Sequence, residues 1–208
     1  MKLITETGSH STRFKKIYKI TELIVNTLDD DIKFKRLMVY PTKNPLEENG
    51  VGYNGKIYIQ QDINKSLTKK NSFKVGDGNT LITEPSLYNG EWMREKIPEN
   101  YPTAFVYPTS CTGSSPVITY NYMVDLIIPE SYLDLFYSDR PTELMVRVAD
   151  LLEGATVDEE AKKEIGNIDI KIGTVYRGKM TRSTTSILVQ IPLKINLIEG
   201  RLNNERFV

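Results

Sequence analysis

Ile187, Val189, Ile191, Leu193, Ile195 and Leu197 stand at every second position of one segment, ILVQIPLKINL. No other pattern in the 208-residue chain constrains its fold as strongly. Side chains of a strand alternate faces, so this row lines one side of a sheet and must meet a core, while Gln190, Lys194 and Asn196 face away. Pro192 predicts an edge position or a bulge, because proline brings no N–H to a ladder.

Other elements gather around that strand. IDIKIGTVY (168–176) alternates Ile168, Ile170 and Ile172 and predicts a second strand. The connecting RGKMTRSTTS is long enough for an antiparallel hairpin with a protruding basic loop. YPTAFVY (101–107) and VITYNYMVDLII (117–128) predict two more strands, with TGSSP (112–116) as a loop between them and Pro129 closing the second. Leu144, Val148, Leu151 and Leu152 share one face of a helix over 140–153, with Asp139 as its cap, Pro141 in its first turn and Gly154 after its end. Thr156-Val157-Asp158-Glu159 reads as a capping box for a short helix ending near Gly166.

In the first half, residues 1–11 read as a loose arm. From Thr12, with Ser11 or Thr12 as N-cap, a helix presents Phe14, Ile17, Tyr18, Thr21, Ile24, Val25 and Leu28 on one face. Asp29, Asp30 and Asp31 suit a helix start better than a helix end, so they predict a break before a second helix, KFKRLMVY, that stops ahead of Pro41. Residues 41–100 are rich in turn signals and too long for an ordinary connection. They predict an irregular arm or insertion with its own hairpin around Gly76-Asp77-Gly78-Asn79, within a single domain spanning 12–208. The sum is an α+β fold: an antiparallel sheet of about four strands with helices packed on one face. Only four alanines (Ala104, Ala149, Ala155, Ala161) against abundant Ile, Thr and Tyr also favour sheet.

Composition narrows the chemistry. The single cysteine, Cys111, excludes an internal disulfide, and with the single histidine, His10, it makes a Cys/His zinc site or a His-based triad a poor expectation. Lysine plus arginine total 27, as do aspartate plus glutamate, so no bulk charge attracts nucleic acid. Apolar runs are strand-sized, so no membrane span is expected, and MKLITETGSHS lacks the apolar run of a signal peptide. Gly50-Val51-Gly52-Tyr53-Asn54-Gly55 matches a dinucleotide glycine motif, but it follows a loop and precedes a strand-like KIYIQQ, the wrong context. Ile57 stands where a P-loop needs Ser or Thr. Asn64-Lys65-Ser66 is a glycosylation sequon read as chance. The acidic runs Asp29–Asp31, Glu47–Glu48 and Asp158–Glu160 read as helix starts and solvated loops. No catalytic residue, cofactor or metal ligand is therefore assigned. The one candidate site is the hairpin loop carrying Arg177, Lys179 and Arg182, which concentrates positive charge where binding residues gather. It suits an acidic partner surface or DNA passing nearby. The clustered tyrosines of the second half suit cross-strand pairs, with any excess on a sheet face suiting a subunit interface.

The order of elements resembles the tail terminator and neck, or head–tail joining, proteins of long-tailed bacteriophages. The resemblance rests on an amphipathic N-terminal helix running into LMVYPTKNPL (Leu37 to Leu46), a long strand ending VDLIIPE, the Arg140-Pro141 helix start and a last hairpin ending SILVQIPLKINL. It covers roughly residues 12–46 and 101–198. It implies a structural virion protein without cofactor, forming a ring, hexameric in that group, at the neck that ends the tail tube and receives the head connector. Its partners would be copies of itself, the tube and the connector, with DNA passing in the channel and no membrane. Its place would be the virion, and the host cytoplasm during assembly. Another neck component on the same module, such as a head-completion, stopper or tail-completion protein, is the alternative. A carboxylate-based enzyme is a more distant one, and a nucleic-acid-binding module would need a contiguous basic face.

Overall fold

The structure, a computed structural model, describes residues 9–47, 49–51, 57–59, 65–75, 79–91, 101–114, 117–135, 137–180 and 186–198. Two helices, α1 (Ser9–Asp30) and α2 (Ile32–Val39), open the described chain. Residues 9–11, expected in a loose arm, belong to α1, and Ser11 and Thr12 lie inside it rather than at its cap. The buried stripe of α1 is Ile20, Thr21, Ile24, Val25 and Leu28. Tyr18, expected on that face, is exposed: at 100° per residue it sits on the flank, and Ile20 takes the opposite flank instead. Asp31 breaks the two helices as expected, accepting the Phe34 N–H at 2.7 Å as the N-cap of α2.

The main sheet runs β5 (Leu87–Asn89), β6 (Thr103–Ser114), β7 (Val117–Pro129), β10 (Ser186–Ile198), β8 (Asn167–Ile172), with β9 (Tyr176–Lys179) also on β10. Among the described residues it thus has six strands rather than about four. All pairs are antiparallel except β5 with β6, which is parallel. The segment before residue 100, expected to be all insertion, therefore supplies an edge strand. Earlier, β1 (Asn49–Val51) pairs β2 (Ile57–Ile59), and β3 (Asn71–Val75) pairs β4 (Asn79–Thr83) in the expected hairpin. Each is a separate two-stranded sheet.

The period-two row of β10 meets a matching row of β7. Ile187, Val189, Ile191, Leu193, Ile195 and Leu197 lie opposite Ile128, Leu126, Val124, Tyr122, Tyr120 and Ile118. All twelve are buried beneath α1, α2, α3 (Arg140–Leu152) and α4 (Glu159–Ile165) as one cluster. Burial of a side chain this size contributes about 1.5–3 kcal/mol. Tyr122 also ties sheet to helix, its hydroxyl donating to Ile17 O at 2.7 Å; burial pushes its pKa up to about 12.

Pro192 is not on an edge strand: β10 is flanked by β7 on one side and by β8 and β9 on the other. The expected strand over 168–176 is broken instead. Gly173 to Val175 leave the ladder opposite Ile191 and Pro192, where Gly173 N–H donates to Pro192 O at 2.8 Å. In an antiparallel pair a residue's N–H and C=O point to the same side. The missing N–H of Pro192 thus faces the gap between β8 and β9, and a Cβ on Gly173 would come within 3.0 Å of the proline ring.

The caps of the later helices divide. Asp139 accepts the Thr142 N–H at 2.9 Å and caps α3 as expected. For α4 the cap is Asp158, which accepts the Ala161 N–H at 2.7 Å, two residues after the expected Thr156. β6 extends to Ser114, so residues 112–114 of the expected loop are strand, and the turn tightens at Gly113 (φ +100), where any Cβ would lie 2.7 Å from Val117 O.

Candidate functional site

The basic hairpin sits at the end of the sheet where β7, β10 and α3 meet. β9 pairs β10 from Ile187↔Lys179 to Gln190↔Tyr176, and Met180 N–H closes the hairpin on Ser186 O at 3.0 Å. Arg177 reaches Asp139 Oδ2 at 3.0 Å and approaches Thr142 Oγ1 at 3.4 Å. It thereby grips the residue that caps α3. Burial works to raise the Asp139 pKa, but the Thr142 and Arg177 hydrogen bonds and the Arg177 charge outweigh it, and the carboxyl ends below its ordinary value. Lys179 Nζ lies 3.9 Å from Glu130 Oε1 and remains 81% exposed. Arg182 lies outside the described residues, as do Gly52 to Gly55 of the glycine motif and Asn64 of the sequon. So Arg177 fastens the hairpin to the body, and Lys179 offers its charge to solvent.

The two short phrases LMVYPTKNPL and Arg140-Pro141 are some hundred residues apart in sequence and touch in the fold. The Arg140 side chain is fully buried. Its Nε donates to Tyr132 O at 2.7 Å; one terminal nitrogen donates to Leu37 O, and the other to Tyr40 O at 3.0 Å and Thr42 O at 2.8 Å. The guanidinium lies 5.2 Å from the centre of the Tyr132 ring. Leu37 and Tyr40 close α2, whose last carbonyls lack partners within the helix, and a cation there also suits the helix dipole. The arginine fork meets several carbonyls at once, which no other side chain does. Nearby, Arg147 clasps Asp31 through both carboxylate oxygens, Nε to Oδ1 at 2.8 Å. Burial tends to raise the Asp31 pKa, yet Arg147, the Phe34 N–H and Lys33 bring it below its ordinary value. Asp29 accepts the Leu67 N–H at 2.6 Å, and Leu67 O accepts from Ser86 and Leu87 N–H, which pins the base of the 41–100 segment to α1.

A third cluster lies on the sheet face away from the helices, and sequence reasoning missed it. Asp125 is fully buried, directly opposite Phe105 on β6 and Gln190 on β10. The Tyr107 hydroxyl donates to Asp125 Oδ2 at 2.8 Å and the Gln190 amide to Oδ1 at 3.1 Å. Phe105 stacks on Tyr88, ring centres 5.0 Å apart. Burial pushes the Asp125 pKa up, Tyr107 and Gln190 oppose it, and Glu91 adds to the rise. The signal available was a lone acid inside an otherwise apolar strand end, VDLII. The sign of its effect follows by linkage. A raised native pKa means that the fold binds the proton more tightly than the unfolded chain, so this contribution is full below the ordinary 3.8 and is lost as pH rises through the native value. Asp125→Asn, which does not ionise, should therefore gain stability relative to the parent as pH rises. Urea unfolding of both proteins at about pH 3.5 and about pH 7.5 measures this; an equal difference at both would remove the carboxyl as the source.

Among the described residues no His, Cys, Asp or Glu group is placed to hold a metal ion, and no helix is long and apolar enough to cross a membrane. A surface cleft between the 43–47 turn and Leu135, Tyr137 and Ser138 measures about 200 Å³, below the ordinary small-molecule range of about 300–1,000 Å³. The fold defines the class: an α+β protein whose helices pack against a mixed sheet. Compared with known protein families and with curated proteins, the sequence gives no significant match.

Proposed function

We propose that this is a structural virion protein of a tailed bacteriophage, forming a ring, hexameric in the group it resembles, at the head–tail neck. There it ends the tail tube and joins it to the head connector. The observation that carries the reading is the division of labour in the chain. The charged side chains that a reaction would use are held in structural roles: Asp31 with Arg147, Asp139 with Arg177, and Arg140 on α2. Meanwhile the 41–100 segment carries two two-stranded sheets separate from the main one, β1–β2 and β3–β4, of a kind that is marginal on its own in water. Extended pieces of that kind gain most by packing on a neighbouring subunit, as ring assembly requires.

Light scattering and negative-stain images of the purified protein, with and without tail tubes, test the reading. Rings, or density capping a tube end, support it; a monomer that ignores tubes moves the assignment to a connector-side component. The basic hairpin supplies a second test. Arg177→Ser, Lys179→Ser and Arg182→Ser together should leave the fold intact and lower the melting temperature only slightly, because even the Arg177–Asp139 pair is partly exposed and such ion pairs contribute only about 0–1 kcal/mol. The same triple variant should lower the yield of assembled particles. Unchanged phage titre would remove the hairpin from the partner surface.

A further inference from the structure

The two edges of the main sheet are unlike. On one side β8 carries Asp169 and Lys171 and β9 carries Arg177 and Lys179, charges of the kind that keep an edge from pairing with other chains. On the other side β5 covers β6 only from Ala104 to Val106. Beyond a register shift between Pro108 and Ser110, β6 pairs β7 through Ser114 on its inner side, and every residue from Pro108 to Gly113 is exposed. No charged residue occurs between Tyr101 and Val124, in a chain that is 26% charged. Among the described residues nothing pairs with the outer side of Ser110–Ser114, and that edge lacks the ordinary protection.

Among the described residues, β4 pairs with β3 alone. The β3–β4 hairpin has two edges. On the β3 side Lys65 Nζ donates to Ser72 O at 2.5 Å. The β4 strand, NTLIT, is uncharged, rich in strand-forming residues and five residues long, matching the five of the open edge. β1 and β2 have three residues each. The hairpin base is fixed, by the Lys70–Glu84 ion pair and by Ser86 O, which accepts the Ala104 N–H at 2.7 Å. Ser110 lies roughly 20 Å further along β6 from that point. The molecule's own hairpin leaves the edge exposed, so the pairing falls to another copy.

We propose that β4 of one copy adds to the open edge of β6, Ser110–Ser114, in a second copy. A two-stranded sheet thereby becomes part of a continuous sheet, with main-chain hydrogen bonds across the joint. The contact is head-to-tail, each copy giving a hairpin and receiving one, the kind of interface that builds a ring when the rotation between copies closes. This rests on the self-assembly part of the proposed function and not on the identity of the tube.

Cys111, the only cysteine, sits in the open edge and is exposed, which makes it one half of a ready cross-link. Asn79→Cys, Thr80→Cys and Thr83→Cys, made singly in the full-length protein, sample both faces of β4. Across paired strands opposite and diagonal positions lie within about 8 Å, so a short bismaleimide bridges them. The expected result is cross-linked dimers and higher multimers for at least one of the three variants, abolished by adding Cys111→Ser. Cys111→Lys with Thr112→Lys, neither of which removes a side-chain hydrogen bond shown in the structure, should weaken association about tenfold or more while the monomer still melts cooperatively. No cross-link in any variant overturns the proposal. So does a dimer of the parent protein linked through Cys111 to Cys111, which would pair two β6 edges instead. Tube capping without these cross-links would leave the neck reading standing and this interface refuted; cross-linked rings that ignore tubes would do the reverse.

Discussion

Ile191→Asp should leave no cooperative unfolding transition. Ile191 is fully buried at the middle of the β10 row, opposite Val124 on β7. The substitution forfeits about 1.5–3 kcal/mol of apolar burial and places a carboxylate where nothing pairs with it, a further cost of several kcal/mol. Typical net stability is about 5–15 kcal/mol, so the sum consumes most or all of it. Ile191→Val, which keeps shape and polarity, should cost only about 0.5–1.5 kcal/mol. Circular dichroism melts of the two variants check the expectation. A soluble Ile191→Asp protein melting like the parent would refute the placement of this row against the helices.

Arg140→Ala should cost about 3 kcal/mol or more. It removes a fully buried side chain and strips the backbone carbonyls of Tyr132, Leu37, Tyr40 and Thr42 of a charged donor. For a chain of this length that is a fall of roughly 6–12 °C in melting temperature. Arg140→Lys should recover only part of it, because an ammonium is a point donor and does not span carbonyls from two segments as the planar fork does. A Lys variant as stable as the parent would show that charge alone suffices, and a neutral Ala variant would refute the role of Arg140 in joining α2 to the start of α3.

Much of the architecture was legible in the sequence because its signals are local. The row from Ile187 to Leu197 predicts a half-buried strand from its period, and the strand pairs in the sheet with that face inward. Asp139 and Pro141 mark the start of α3, and Asp31 the start of α2, because a cap is satisfied by an N–H two or three residues away. The Gly76-Asp77-Gly78-Asn79 turn signal falls between two strands that do pair. The candidate hairpin was legible as a hairpin, but the grip of Arg177 on Asp139 was not, since it joins residues 38 positions apart.

What the tertiary structure alone decided are the features whose partners are distant. Pro192 reads locally as an edge or bulge signal; it is interior, and the irregularity lies in the neighbouring strand, where Gly173 to Val175 step out opposite Ile191 and Pro192. Arg140 stands at a helix N-terminus, where the dipole disfavours a cation, and the α2 carbonyls that accept it come from about a hundred residues away. Asp125 is isolated in sequence and becomes a buried acceptor only when β6 and β10 bring Tyr107 and Gln190 to either side. Periodicity and caps are fixed by the chain's own near neighbours, whereas burial and hydrogen-bond partnership depend on which distant segment folds alongside.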